Sequence, residues 1–111
     1  MQGTILVIDG VSTNRIMMKV QLAAAYYDVV LATQVSGVLE IARGCRPDLV
    51  LTANSLPDGS AADVKRELTR DDSLADVPVI AVSRTDNPMR RLEALSAGID
   101  DVLPQPLDDV I

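Results

Sequence analysis

The residues of this chain that could do chemistry cluster just after its short apolar runs. Asp9-Gly10 follow the run 4–8. Ala53, Asn54, Ser55 and Asp58 follow the run 48–52. Ser83 ends the run 77–83, Arg84 follows it, and Gln105-Pro106 follow the run 101–103. In an open parallel sheet, ligands bind beyond the carboxyl ends of the strands, so residues trailing such runs are expected to share one pocket. Asp9 is the one carboxylate directly at a run's end. A single carboxylate is a poor site for a divalent cation. Ser55 and Ser83 carry hydroxyls, but nothing near them in the sequence can act as a base. Arg84, at the pocket rim, could enter the pocket and pair with Asp9. No catalytic residue and no metal site is assigned, and Asp9 is read as a solvated or hydrogen-bonded strand-end aspartate. Asp58 reads as a turn residue before Gly59. The pairs Asp71-Asp72, Asp100-Asp101 and Asp108-Asp109 read as loop ends or helix caps, because adjacent residues do not point to one place.

The composition removes further chemistries. The chain has 111 residues, no histidine and one cysteine. Ser-His-Asp and Cys-His pairs are therefore impossible, as are histidine-containing and cysteine-rich zinc sites. Cys45 cannot form an internal disulfide and is read as an inert helix-end residue, consistent with a cytoplasmic chain. The net charge of −6 argues against a nucleic-acid phosphate binder. No apolar run reaches the roughly 18–20 residues that span a bilayer, and there is no signal-peptide pattern. No Gly-x-Gly-x-x-Gly or Walker loop supports nucleotide binding.

The elements that position these residues alternate in type. Strands are expected over 4–8, 27–31, 48–52, 77–83 and, more weakly, 101–103; the first, third and fourth are apolar almost throughout, as for parallel strands covered on both faces. The first helix, capped by Ser12 or Thr13, is expected to face Ile16, Met17, Val20 and Ala24 inward. The second carries Val35, Val38, Leu39 and Ala42 at helical spacing and stops near Gly44 and Pro47. The third starts near Ser60 with Ala61, Val64 and Leu68 on one side. Asn87 can cap the fourth, Pro88 suits its first position, and Gly98 suits its stop. With two tyrosines, no Phe and no Trp, the core must be aliphatic. The alternation implies one α/β domain over 1–111, a doubly wound five-stranded parallel sheet. A fifth helix should start near 106–109 with few residues left for it. The expectation is a fragment of a longer multidomain protein, its last helix truncated or missing.

The segments Ile5-Leu6-Val7-Ile8-Asp9, Pro47-Asp48-Leu49-Val50-Leu51, Leu56-Pro57-Asp58-Gly59, Pro78-Val79-Ile80-Ala81-Val82-Ser83 and Ala97-Gly98-Ile99-Asp100-Asp101 resemble those of bacterial response-regulator receiver domains. Each is weak alone, but their order and spacing together are specific, and the resemblance runs from Ile5 to Leu107. It implies a flavodoxin-like sheet in strand order 2-1-3-4-5. The stretch from Leu22 to Val29, with the ending Pro106-Leu107-Asp108-Asp109-Val110, is similar to receivers attached to GGDEF diguanylate cyclases.

By that resemblance, paired acids after the first strand and an aspartate after the third hold Mg²⁺. A Ser or Thr after the fourth strand and a Lys after the fifth bind the phosphoryl group, so catalysis is positioning and electrostatics. This chain departs at most of those positions. Asp9 matches the first acid, Gly10 replaces the second, Ala53 stands at the phosphoacceptor, Ser83 matches the hydroxyl, Gln105 replaces the lysine and Val102 replaces the aromatic switch residue. Gln105-Pro106 also falls where the family has a Lys-Pro bond that is often cis. The joint loss favours a pocket degenerate as a whole over one inactivating substitution at Ala53. The expected function is a non-enzymatic pseudo-receiver without cofactor, binding another receiver, a second copy of itself or a linked output domain through its fourth helix and fifth strand. A phosphoacceptor receiver carrying an inactivating substitution, or a small-molecule-sensing domain, are the alternatives.

Overall fold

The computed structural model describes residues 3–83 and 88–104. The elements run β1 (Thr4–Ile8), α1 (Ser12–Ala24), β2 (Asp28–Ala32), α2 (Val38–Cys45), β3 (Leu49–Ala53), a short hairpin β4 (Ser55–Leu56) and β5 (Gly59–Ser60), α3 (Ala61–Leu68), β6 (Val79–Ser83), α4 (Pro88–Ser96) and β7 (Asp101–Pro104). The five long strands form one parallel sheet in the order β2-β1-β3-β6-β7. With the hairpin set aside, that is the expected order 2-1-3-4-5.

Side chains alternate across the sheet, as the two-residue strand period requires. On one face Leu6, Ile8, Val50, Val79 and Ala81 pack with Val38 and Ala42 of α2, Val64 and Leu68 of α3, and half-buried Ala94 of α4. On the other face Ile5, Val7, Leu51 and Val82 pack with Met18 and Leu22 of α1. All of these are aliphatic, as the composition requires.

Helix α1 corrects one expectation. Met18 and Leu22 face inward, whereas Ile16, Met17 and Val20 are 60%, 50% and 63% exposed and Ala24 is exposed too. The helix carries two overlapping apolar stripes with the same 3.6-residue period, and periodicity cannot say which one meets the sheet. Its N-cap is Val11, with no side-chain cap, rather than Ser12 or Thr13.

Helix α2 is shorter than its pattern. It begins at Val38, behind Gly37 at φ +81°, so Val35 lies outside it. It ends on Arg46 in the left-handed region (φ +49°) rather than at Gly44. The third and fourth helices stop and start closer to expectation. Ser60 caps α3 in a capping box, its hydroxyl taking the Asp63 N–H while the Asp63 carboxylate takes the Ser60 N–H. Gly98, at φ +98°, follows α4. Asn87 lies outside the described residues.

Candidate functional site

Strand register brings the expected site residues to one end of the sheet. Ile8 pairs with Thr52, Ala53 with Val82 and Ser83 with Pro104. Asp9, Ala53 and Ser83 therefore share the carboxyl edge, with Gly10 one residue on. Arg84 and Gln105-Pro106 lie outside the described residues, and with them the expected Asp9–Arg84 pair and the cis bond.

Asp9 is 3% exposed. Its carboxylate accepts the Val11 N–H at 2.9 Å, a turn closed within two residues. Its backbone carbonyl accepts from the Arg15 guanidinium at 2.7 Å, and its N–H donates to the Ala32 carbonyl. Arg15, in the first turn of α1, thus brings a cation to the pocket's edge that the linear pattern did not single out. Ala53 is half-buried against the core shared with α2, α3 and α4, and Ser83 is half-buried at the end of β6. Val102 of β7 packs against that same core.

The loop after β3 is a pinned hairpin, which the sequence reading treated as a turn only. Ser55 pairs with Ser60 and Leu56 with Gly59, leaving Pro57-Asp58 as the two-residue tip. Three consecutive residues hold it. Leu56 is buried in the core. The Pro57 ring lies on Gly10, where a Cβ would stand 2.8 and 2.9 Å from its Cδ and Cγ. The Asp58 carboxylate accepts the Val35 N–H at 2.8 Å and the Ser36 N–H at 2.9 Å, and those bonds hold its pKa below the ordinary aspartate value. Asp58 is therefore a cross-loop clasp as well as a turn residue. Its only sequence signal is its place in the Leu-Pro-Asp-Gly motif, because its partners are 22 and 23 residues away.

The residues present do not fit a magnesium ion. The acceptor position carries a methyl group, and position 10 has neither a side chain nor room for one while Pro57 stays in place. The remaining carboxylate, Asp9, already holds a backbone N–H. Among the described residues no group of three or more His, Cys, Asp or Glu is arranged to hold a metal.

Asp71, Asp100 and Cys45 serve the scaffold, while Asp108 and Asp109 lie outside the described residues. Asp71 accepts from the Arg43 guanidinium at 2.8 Å and from the Ser73 N–H and hydroxyl, which together hold its pKa far below the usual range. Asp100 pairs with Lys65 and accepts the Val79 N–H. Both acids therefore do more than end loops. Cys45 is half-buried at the end of α2, and burial pushes its thiol pKa up, away from the reactive thiolate. No helix among the described residues is long and apolar enough to cross a membrane.

A parallel sheet in this order with a site at its carboxyl edge defines a receiver-type α/β domain, and comparison with known proteins bears this out. The response regulator receiver domain family model matches residues 5–110. The chain is 31% identical over 111 residues to the response regulator PleD of Caulobacter vibrioides, covering all of this chain and 24% of PleD. It is 34% identical over 104 residues to the aerobic respiration control sensor protein ArcB of Escherichia coli K12, covering 93% of this chain and 13% of ArcB. The receiver domain of the sensor histidine kinase PA1611 from Pseudomonas aeruginosa superimposes with a TM-score of 0.85 at 24% identity, over 97% of this chain and 88% of that one. The chain belongs to the response regulator receiver domain family, the signalling modules of two-component systems. It spans about a quarter of PleD and less of ArcB.

Proposed function

We propose that this chain is a pseudo-receiver, a receiver domain that takes no phosphoryl group and works as a fixed interaction module in cytoplasmic two-component signalling. The observation that carries the reading is the Pro57 ring seated on Gly10, together with an alanine at position 53. Acceptor and second metal-binding acid are both absent, and the space at position 10 is taken by the chain's own hairpin. The PA1611 receiver, by contrast, holds a magnesium ion in its active-site cleft. Without a phosphoryl group the domain lacks the differential free energy that would shift it between states, so it presents one surface.

That surface is α4 with β7. Met89, Leu92 and Leu95 of α4 are 64%, 58% and 39% exposed, an apolar set open to a partner. Within the described sheet β7 pairs on one side only, with β6. The partner would be another receiver, a second copy or a linked output domain. Identity to PleD over the whole chain and the similarity to GGDEF-attached receivers support a diguanylate-cyclase output outside this chain. The chain itself would have no catalytic activity and no cofactor.

Incubation with acetyl phosphate and Mg²⁺, followed by intact-mass measurement, tests the reading. No adduct is expected, and a gain of about 80 Da, one phosphoryl group, would overturn it. Ala53→Asp in the same assay is expected to stay unmodified because the second acid is still missing. Efficient modification of that variant would favour an otherwise competent receiver inactivated at one position.

A further inference from the structure

A separate cavity lies on the face of the sheet covered by α2, α3 and α4, between the start of α3 and α4. It measures about 270 Å³, and neither Asp9, Gly10, Ala53 nor Ser83 lines it. Its walls are Ala62 of α3 and Ala94 and Ala97 at the end of α4, with buried Ile99 alongside. Short side chains face each other across the gap between two helices, and they leave open a volume that longer residues would fill. At roughly 30 Å³ per water, the space equals about nine waters, the size of a small organic group.

Two polar residues complete the lining. Half-buried Asn54 follows β3 directly and is held in place through its backbone, its N–H to the Val82 carbonyl and its carbonyl to the Ala61 N–H. Its side-chain amide, a donor and an acceptor, makes no hydrogen bond to another described residue. Glu93 is exposed on α4 and takes part in none of the four ion pairs among the described residues, Arg43–Asp71, Lys65–Asp100, Arg66–Asp63 and Arg70–Glu67. Ser60 also lines the cavity, but its hydroxyl is committed to the α3 cap.

An open alanine-walled groove with a carboxylate and an amide in its lining is complementary to a short aliphatic stem carrying a cation. The chain's net charge of −6 favours the same sign. We propose that this cavity is a binding site for an aliphatic cation, a short alkylammonium or alkylguanidinium group, with its charge at Glu93 and its stem along Ala62, Ala94, Ala97 and Ile99. The group could be a free amine or the lysine or arginine side chain of a protein. The site does not depend on the phosphoryl pocket being dismantled. It does join the turn after β3 to α4, the helix that carries the exposed Met89, Leu92 and Leu95.

Titration of the ¹⁵N-labelled chain with n-butylammonium and n-butylguanidinium, followed by amide chemical shifts, tests the proposal. Saturable shifts are expected at Asn54, Ala62, Ala94 and Ala97, with no saturable response there to sodium butyrate. Glu93→Gln should weaken binding by about two- to five-fold, the range of an exposed ion pair. Ala97→Leu, at an exposed position, should fill the groove and abolish the shifts while the sheet resonances stay in place; Ala62→Leu provides the same test from the opposite wall. Nα-acetyl-lysine-N-methylamide separates the sources. Equal response to it identifies a protein side chain as the occupant, and loss of response identifies a free amine. The proposal is overturned if neither cation gives saturable shifts at these residues, if butyrate acts as well, or if both leucine variants fold and still bind. None of these readouts depends on phosphoryl transfer, so the pseudo-receiver reading stands or falls separately.

Discussion

The two ends of the sheet use similar residues in different ways. At the amino end, polar groups tie together elements distant in sequence. The Asp48 carboxylate accepts the Thr4 N–H at 2.8 Å, across 44 residues. Gly3, at φ +137°, leaves that carboxylate space, since a Cβ there would come within 2.8 Å of it. Lys65 reaches from α3 to the Ala75 and Val77 carbonyls and to Asp100, which in turn accepts the Val79 N–H. At the carboxyl end the carboxylate of the buried Asp9 bonds only two residues ahead, and Gly10 follows it. At the amino end the long-range ties involve strands and helices, whereas at the carboxyl end the long-range tie is the Asp58 clasp, which joins two loops. The candidate site lies at the carboxyl end of the strands, away from the amino-end ties, so residues at the site can change while those ties stay intact.

The strongest test of that contrast is Gly10→Asp. It places an acid next to Asp9 but drives a side chain into the Pro57 ring, and overpacking of this kind costs about 1–3 kcal/mol. Chemical denaturation should show the loss, and Pro57→Ala should reduce it in a double-mutant cycle; an undiminished cost would mean that Pro57 is not what fills the space. Next comes the amino end. Lys65→Met removes the shared donor, and a loss of about 1 kcal/mol is expected in the same experiment. Its pairing with Asp100 adds little of this, because that carboxylate is 46% exposed. Ser60→Ala removes the α3 cap and should also cost about 1 kcal/mol, and Ser60→Gly only a few tenths.

The smallest effect is on pH dependence. The Asp58 pKa is lowered by the Val35 and Ser36 N–H groups. Its stabilising contribution is therefore complete above the unfolded value of about 3.9 and lost as pH falls through the lower folded value. Asp71 behaves in the same sense through Arg43 and Ser73. Thermal melts from pH 6 downward should show stability falling below about pH 4, and Asp58→Asn should flatten part of that slope. An unchanged slope would mean that the clasp forms equally well with a neutral side chain.

Much of the scaffold was legible because it depends on local chemistry. The apolar runs at β1, β3 and β6 read as buried parallel strands, and Ser60 and Gly98 marked helix limits through capping and a positive φ. The α1 face was misread because two stripes share one period. The start of α2 was misread because the Val35 and Ser36 amides find a carboxylate 22 and 23 residues on instead of a helical turn.

What the sequence by itself determined is the order of elements, the aliphatic core and the residue types at the carboxyl edge, including the alanine at position 53 and the glycine at position 10. Those follow from periodicity, side-chain chemistry and the receiver-like motifs. Only the tertiary structure decided that the Pro57 ring lies on Gly10, that Asp58 clasps the neighbouring loop, that Asp9 folds back on Val11, and that three alanines face one another across a cavity. Each joins groups whose separation is set by how the layers pack, and spacing along the chain carries no trace of it. The one near-neighbour contact, Asp9 with Val11, depends on where β1 ends against β2 and β3.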